Sequence, residues 1–314
     1  MTKLAEAISK LRAGDVVAIP TETVYGLAAD IDSEAGLKKI FSVKERPFFD
    51  PLIVHVDSIQ KARALSTDWT PVHEALAQHC WPGPLTLLAQ KHVSINPLIT
   101  AGLSEVGLRC PRHELTLELL KNFRGLAAPS ANKFGKTSPT SPAHVRDEFG
   151  EAVAILEGGD CEVGIESTVA AVVREGQRLK LLIYRPGHYT AAHLHDLLES
   201  KGIATETAYA ESPVAPGHLK HHYMPNIPVL MSTTGDENKT KLEAEKKLAR
   251  SFSRIARLEL ESDPTLAARS FYQQLRELSP HHDAILVPVT QEHLKAESWR
   301  ALMNRLTKAA SFRG

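Results

Sequence analysis

Between about Ile203 and Asn226 the chain loses its periodic pattern, and Pro213, Pro216, Gly217 and Pro225 interrupt any helix there. A stretch of this kind does not belong inside a sheet. It divides the chain into a large unit over 1–202, a connector over 203–226 and a small unit over 227–314. At no more than ~3.5 Å per extended residue, the connector is long enough to cross a domain face. The total of 314 residues agrees with two domains.

In the large unit, short apolar runs predict strands at 15–20, 52–56, 85–89, 106–110, 125–128, 152–156, 168–173 and 179–184. Helical spacing appears in the first dozen residues, which Gly14 stops, and again after Ser33, a plausible N-cap. Further helices are expected over 71–79, 114–122, 142–149 and 191–200. Strands and helices interleave without strict alternation, which predicts an α/β fold with a twisted mixed sheet. In the small unit, strands at 227–231 and 283–288 and helices at 239–251, 265–278 and 299–310 predict a second, smaller α/β domain. Neither a repeat nor a low-complexity tract is present.

Lys and Arg total 37, as do Asp and Glu, so the formal net charge is zero. That balance argues against binding nucleic acid through overall charge. Cys80, Cys110 and Cys161 lie far apart with no CxxC spacing, which fits a reducing compartment better than a disulfide framework. No apolar run approaches the ~20 residues of a membrane span, and the first residues lack a signal peptide's apolar region, so a cytoplasmic protein is expected.

Chemistry concentrates in loops at strand ends, where charged or hydroxyl residues sit beside Pro and Gly. These loops are 21–26 (TETVYG), 44–51 (KERPFFDP), 107–111 (GLRCP), 128–132 (APSAN), 166–168 (EST) and 184–187 (YRPG). Ligands of open α/β sheets gather at strand carboxyl ends. Together Lys44, Arg46, Arg109, Lys136 and Arg185 would make a strongly cationic pocket, suited to a polyphosphate or several carboxylates. Taken singly, each is more often a solvated loop charge, Thr21 and Thr23 more often a turn cap, and Tyr25 core packing. There is no Walker A sequence, no GxGxxG and no G-x-S-x-G elbow.

In order along the chain, PTETVYGLAA, KERP with DPLIVHV, WPGPLT, TAGL, PSAN and GIEST followed by RPG resemble the YrdC-like family over about Gly14 to Gly187. The APGHLKHHYMP of 215–225 resembles the linker of the family's two-domain form, and the tail its small Rossmann-like domain. The resemblance implies a synthase forming threonylcarbamoyl-AMP and pyrophosphate from L-threonine, bicarbonate and ATP. It implies Mg²⁺ with the ATP, and downstream tRNA-modifying transferases and tRNA as partners.

Residue by residue, the resemblance assigns Thr23, His55, Arg109, Ala128 and Ser167 to threonine, with Arg109 on its carboxylate. It assigns Arg46, Asp50, Ser130, Ser138, Arg185 and Tyr223 to ATP. Lys44 and Arg46 form the catalytic K-x-R pair facing phosphates and carbamate. Two positions depart from the family pattern: Glu45 stands where Gly is usual, and Asp50 where Asn is usual. On this reading the arginines are loop residues whose removal abolishes synthesis and spares the fold.

Three rival readings follow from the same residues. One is an RNA-binding or ribosome-associated module with the same fold and no turnover. Another is a carbamoyltransferase of the hydrogenase-maturation type, for which the acylphosphatase and zinc-finger segments are lacking. The third is a zinc site at His218, His221 and His222, without cysteine partners.

Overall fold

The computed structural model describes residues 3–176, 178–210 and 222–314. The first domain is built on a sheet with strands β1 (Val17–Ile19), β2 (Gly26–Asp30), β3 (Ile53–His55), β4 (Leu85–Gln90) and β5 (Glu105–Arg109). It continues with β6 (Leu126–Ala127), β7 (Ala154–Ile155), β8 (Thr168–Glu175), β9 (Arg178–Arg185) and β10 (Glu206–Tyr209). Their order is β10-β9-β8-β4-β5-β3-β6-β2-β1-β7. Parallel and antiparallel neighbours mix along it, for example β3 parallel to β5 and antiparallel to β6. The second domain carries β11 (Val229–Ser232), β12 (Ile255–Arg257), β13 (Ala284–Pro288) and β14 (Ala310–Arg313). Their order is β12-β13-β11-β14, every described pairing parallel, with helices between successive strands. The Rossmann-like expectation is met.

Most of the α-helices start where a side chain satisfies one of their first amides. Ser33 accepts from Gly36 at the head of Glu34–Lys44. Thr70 and His73 form a reciprocal box ahead of Pro71–Cys80, with proline in the first turn. Ser141 and Thr190 cap Pro142–Phe149 and Ala191–Ser200 by accepting from the His144 and His193 amides. Among the described residues no helix is long and apolar enough to cross a membrane.

Three expectations change. Residues 26–30 form a buried central strand, hidden in sequence because Gly-Leu-Ala-Ala-Asp offers small side chains in place of β-branched ones. Residues 206–209, expected in the connector, form the edge strand β10, pairing in parallel with β9. Its half-exposed Glu-Thr-Ala-Tyr carries no apolar run to announce it. The last helix stops at Ala309 and the chain turns into β14 instead of ending helically. The remainder of the expected connector, 211–221, lies outside the described residues together with His218 and His221.

The two domains share a core. Val24, Val163 and Ile165 of the first pack in one cluster with Phe271, Tyr272, Leu302 and Leu306 of the second, and Tyr223 sits between them. Gly164, at φ +77°, lies so close to the second domain that a Cβ would stand 2.4 Å from the Arg269 carbonyl oxygen.

Candidate active site

One cleft takes in Thr21, Thr23, Gly26, Arg46, Ile53, His55, Arg109, Ala128, Ser130, Glu166, Ser167, Arg185, His222 and Tyr223. β3 and β5 end side by side, with His55 opposite Arg109, and β9 ends at Arg185 against the start of β8. The cleft is not confined to strand ends. Ile53 and His55, two apart on β3, share a face of the sheet, so the cleft runs inward over Gly26 and Ala128.

The cations come already paired. Arg109 Nη2 lies 2.7 Å from Glu22 Oε2, and its Nε donates to the Gly83 carbonyl at 3.3 Å. Arg46 Nη2 lies 2.8 Å from Asp50 Oδ2, while the same guanidinium donates to the Asp50 and Pro51 carbonyls at 3.2 and 3.0 Å. Arg185 donates from Nε to Ser167 O and from Nη2 to Ser167 Oγ, both at 3.0 Å. Ser167 Oγ is also 2.8 Å from Thr86 Oγ1. Close approach is needed here: a Cβ on Gly187 would stand 2.2 Å from the Thr168 amide nitrogen.

Glu166 is held from both domains. Its Oε1 accepts from Ser138 Oγ at 2.6 Å, and its Oε2 accepts from the Tyr272 hydroxyl and Arg305 Nε, each at 3.0 Å. Burial alone would raise this carboxyl, but Arg305, Arg185 and the Ser138 hydrogen bond outweigh it and hold it down at about 2. His55 and His222 are pushed down to about 3 by burial, so both are neutral imidazoles near pH 7.

Three expected site residues stand behind the cleft instead of lining it. Lys44 is 1% exposed, and its ammonium donates to the Ser130 carbonyl at 2.5 Å and to that of Asn132. It fixes the 130–132 loop that forms one wall. Burial, then the neighbouring Arg46, puts its pKa well below the ordinary lysine value. Asp50 is turned to Arg46, and Ser138 to Glu166. Lys136 lies elsewhere, donating to Asn226 at 2.9 Å. Thr21 does close its own turn, donating to the Val24 carbonyl at 2.7 Å, and Tyr25 is buried core with its hydroxyl on the Gly159 carbonyl at 2.8 Å.

Tyr223 reaches the cleft from the connector's described end. It is 1% exposed on left-handed backbone, φ 64°, and its hydroxyl has no hydrogen-bond partner among the described residues. Thr137 donates to its carbonyl at 3.1 Å, and the His222 amide donates to the Lys308 carbonyl at 3.3 Å. The pair is thus tied to both domains. Of the three histidines considered for zinc, only His222 is described, its ring edge-on to Tyr223 at 4.2 Å.

Glu22, Tyr272 and Arg305 support the site without having been among the expected site residues. A signal for Arg305 was there: it occupies the apolar stripe Leu302, Arg305, Leu306, Ala309 of its helix, where a charge requires a buried partner.

A family profile described as telomere recombination, and named for the Sua5, YciO and YrdC proteins, matches residues 9–187. A second, described as the C-terminal domain of threonylcarbamoyl-AMP synthase, matches residues 189–311. The Pyrococcus abyssi threonylcarbamoyl-AMP synthase is 33% identical over an alignment of 330 residues, which covers 99% of this chain and 95% of that protein. The Bacillus subtilis enzyme of the same name is 37% identical over 234 residues, covering 72% and 66%. The crystal structure of P. abyssi Sua5 complexed with L-threonine superposes with a TM-score of 0.84 at 31% identity, covering 99% of this chain and 96% of that one. With both profiles matched in order and both domains shared with a solved relative, the chain belongs to the Sua5–YciO–YrdC family in its two-domain form, that of the threonylcarbamoyl-AMP synthases.

Proposed function

We infer that this protein is a nucleotidyltransferase that joins L-threonine, bicarbonate and ATP into threonylcarbamoyl-AMP, releasing pyrophosphate, for modification of tRNA. The observation that carries the reading is the cleft in which Arg46, Arg109 and Arg185 converge within a fold shared with a threonine-bound relative. Threonine's carboxylate is assigned to Arg109, with Thr23, His55, Ala128 and Ser167 around it. The ATP phosphates are assigned to Arg46 and Arg185, with Ser130 and Tyr223 beside the nucleotide.

The threonine amine captures CO₂ from bicarbonate as a carbamate, whose oxygen then attacks the α-phosphorus and expels pyrophosphate. Carbamate, carboxylate and triphosphate repel one another, at about 4 kcal/mol per pair at ~4 Å and an effective dielectric near 20. Arginines held rigid by Asp50, Glu22 and Ser167 offset that repulsion without reorganising. The bound and buried geometry supplies the rest by orientation, and no covalent nucleophile is needed. Lys44 acts by shaping the Ser130 wall. Mg²⁺ is read as entering with the ATP phosphates, since Glu22, Asp50 and Glu166 are each engaged by an arginine. A reducing cytoplasm is proposed from Cys80, Cys110 and Cys161, all free and buried.

The test is release of pyrophosphate, and capture of the AMP adduct, by the purified full-length protein. Both are expected only when threonine and bicarbonate are present together. Tight tRNA binding without either product would replace this reading with that of an RNA-binding module.

A further inference from the structure

Glu166 presents a formal negative charge to a cleft that has to admit anions, and its neighbour Ser167 forms part of the same wall. Each half of this dipeptide is gripped by an arginine from a different domain. Arg185, from the first, takes the carbonyl and hydroxyl of Ser167. Arg305, from the second, takes the Glu166 carboxylate at 3.0 Å and the Glu166 carbonyl at 3.1 Å, and also donates to the Pro186 carbonyl. Arg305 is 0% exposed and sits over the Tyr223 ring at 5.8 Å. Tyr272, also from the second domain, adds a hydroxyl to the same carboxylate oxygen.

We propose that Arg305 is a positioning residue of the synthase site, through which the second domain neutralises Glu166 and sets the Glu166–Ser167 wall against threonine and ATP. The proposal rests on the synthase reading. Arg305 lies behind Glu166 and is not among the residues lining the cleft, so it acts through the carboxylate. With Arg305 gone, Glu166 stays buried without its counter-ion and turns its field on the incoming anions. Ser138, hydrogen-bonded to the other carboxylate oxygen, shifts with it.

The experiment uses full-length wild type, Arg305→Met, Arg305→Lys, Tyr272→Phe and the double variant Arg305→Met with Glu166→Gln. Threonine- and bicarbonate-dependent pyrophosphate release is measured with kcat and KM for ATP and for threonine, beside a melting curve. Arg305→Met is expected to lower kcat/KM about a hundredfold, mostly through KM, and the added Glu166→Gln to recover about tenfold of that, as for directly coupled residues. Arg305→Lys, which keeps the charge without the fork, should fall between. A folded Arg305→Met with constants within about twofold of wild type overturns the proposal, as does a double variant no better than the single. If Arg305→Met does not fold, Arg305→Lys and Tyr272→Phe decide: a severalfold rise in KM supports the proposal, and wild-type constants in both overturn it. A wild type without turnover removes the synthase reading itself, and this inference with it.

Discussion

Glu45 illustrates how a residue can look wrong in sequence and be placed without harm. It ends the helix Glu34–Lys44 on left-handed backbone, φ 53° and ψ 36°, a conformation that glycine reaches without Cβ strain. The glycine that the resemblance expects in K-x-R would suit that turn. Here the side chain points out and pairs with Lys133 at 2.8 Å, away from the cleft. The arginines differ from the sequence expectation in the opposite sense. Arg46 and Arg109 are buried ion-pair partners, so removing one is not neutral for the fold. Arg109→Ala should abolish synthesis and also cost about 3 kcal/mol or more in urea unfolding, because Glu22 stays buried and uncompensated. Adding Glu22→Gln should restore most of the stability and none of the activity; restored activity would remove Arg109 from the site. His55 and His222 set an acid limit. Their folded pKa values, about 3, lie below the ordinary 6.5, so each contributes stability in full above pH 6.5 and loses it as pH falls toward 3. Each should lose ~2 kcal/mol between pH 7 and pH 5. Urea midpoints at the two pH values check this, and an unchanged midpoint would mean the histidines charge freely in the native state. Glu166 acts only lower, below 4.5, with its share lost on the way to about 2.

Among the elements, the longer ones with an apolar run or a periodic face were legible before folding. Pro142–Phe149 and Ala191–Ser200 were read to the residue, and in the structure Ser141 and Thr190 cap their starts. β2 and β10 were not, because one is built of small residues and the other pairs only along one edge. The loops that bear the cleft were visible as Pro- and Gly-bounded clusters. Their mutual geometry was not: that Lys44 grips the Ser130 loop depends on a tertiary contact no local pattern encodes, whereas Asp50 meets Arg46 within their own loop. The strap of His222 and Tyr223 was legible only by resemblance. Its strain at φ 64° and its buried hydroxyl, unpartnered among the described residues, are of the kind stored at functional sites.

At the scale of the whole molecule, the shared core decides what a truncation should do. Removing everything after Ser212 strips the cover from Val24, Val163 and Ile165 and deprives Glu166 of both Arg305 and Tyr272. The first domain alone should therefore melt at markedly lower temperature, bind an apolar dye and show no synthesis. A fragment with full-length stability would mean that the shared core contributes little. The pairing of Arg46 with Asp50, Arg109 with Glu22 and Arg305 with Glu166 has one more effect. Mobile ions screen charges only where solvent reaches them, and these pairs are at most 8% exposed. Added sodium chloride should thus barely alter the Michaelis constants for small anionic substrates. Attachment to a polynucleotide, which relies on releasing condensed counter-ions, would instead weaken steeply over the same range. Ionic strength therefore separates what the cleft holds from what the surface meets.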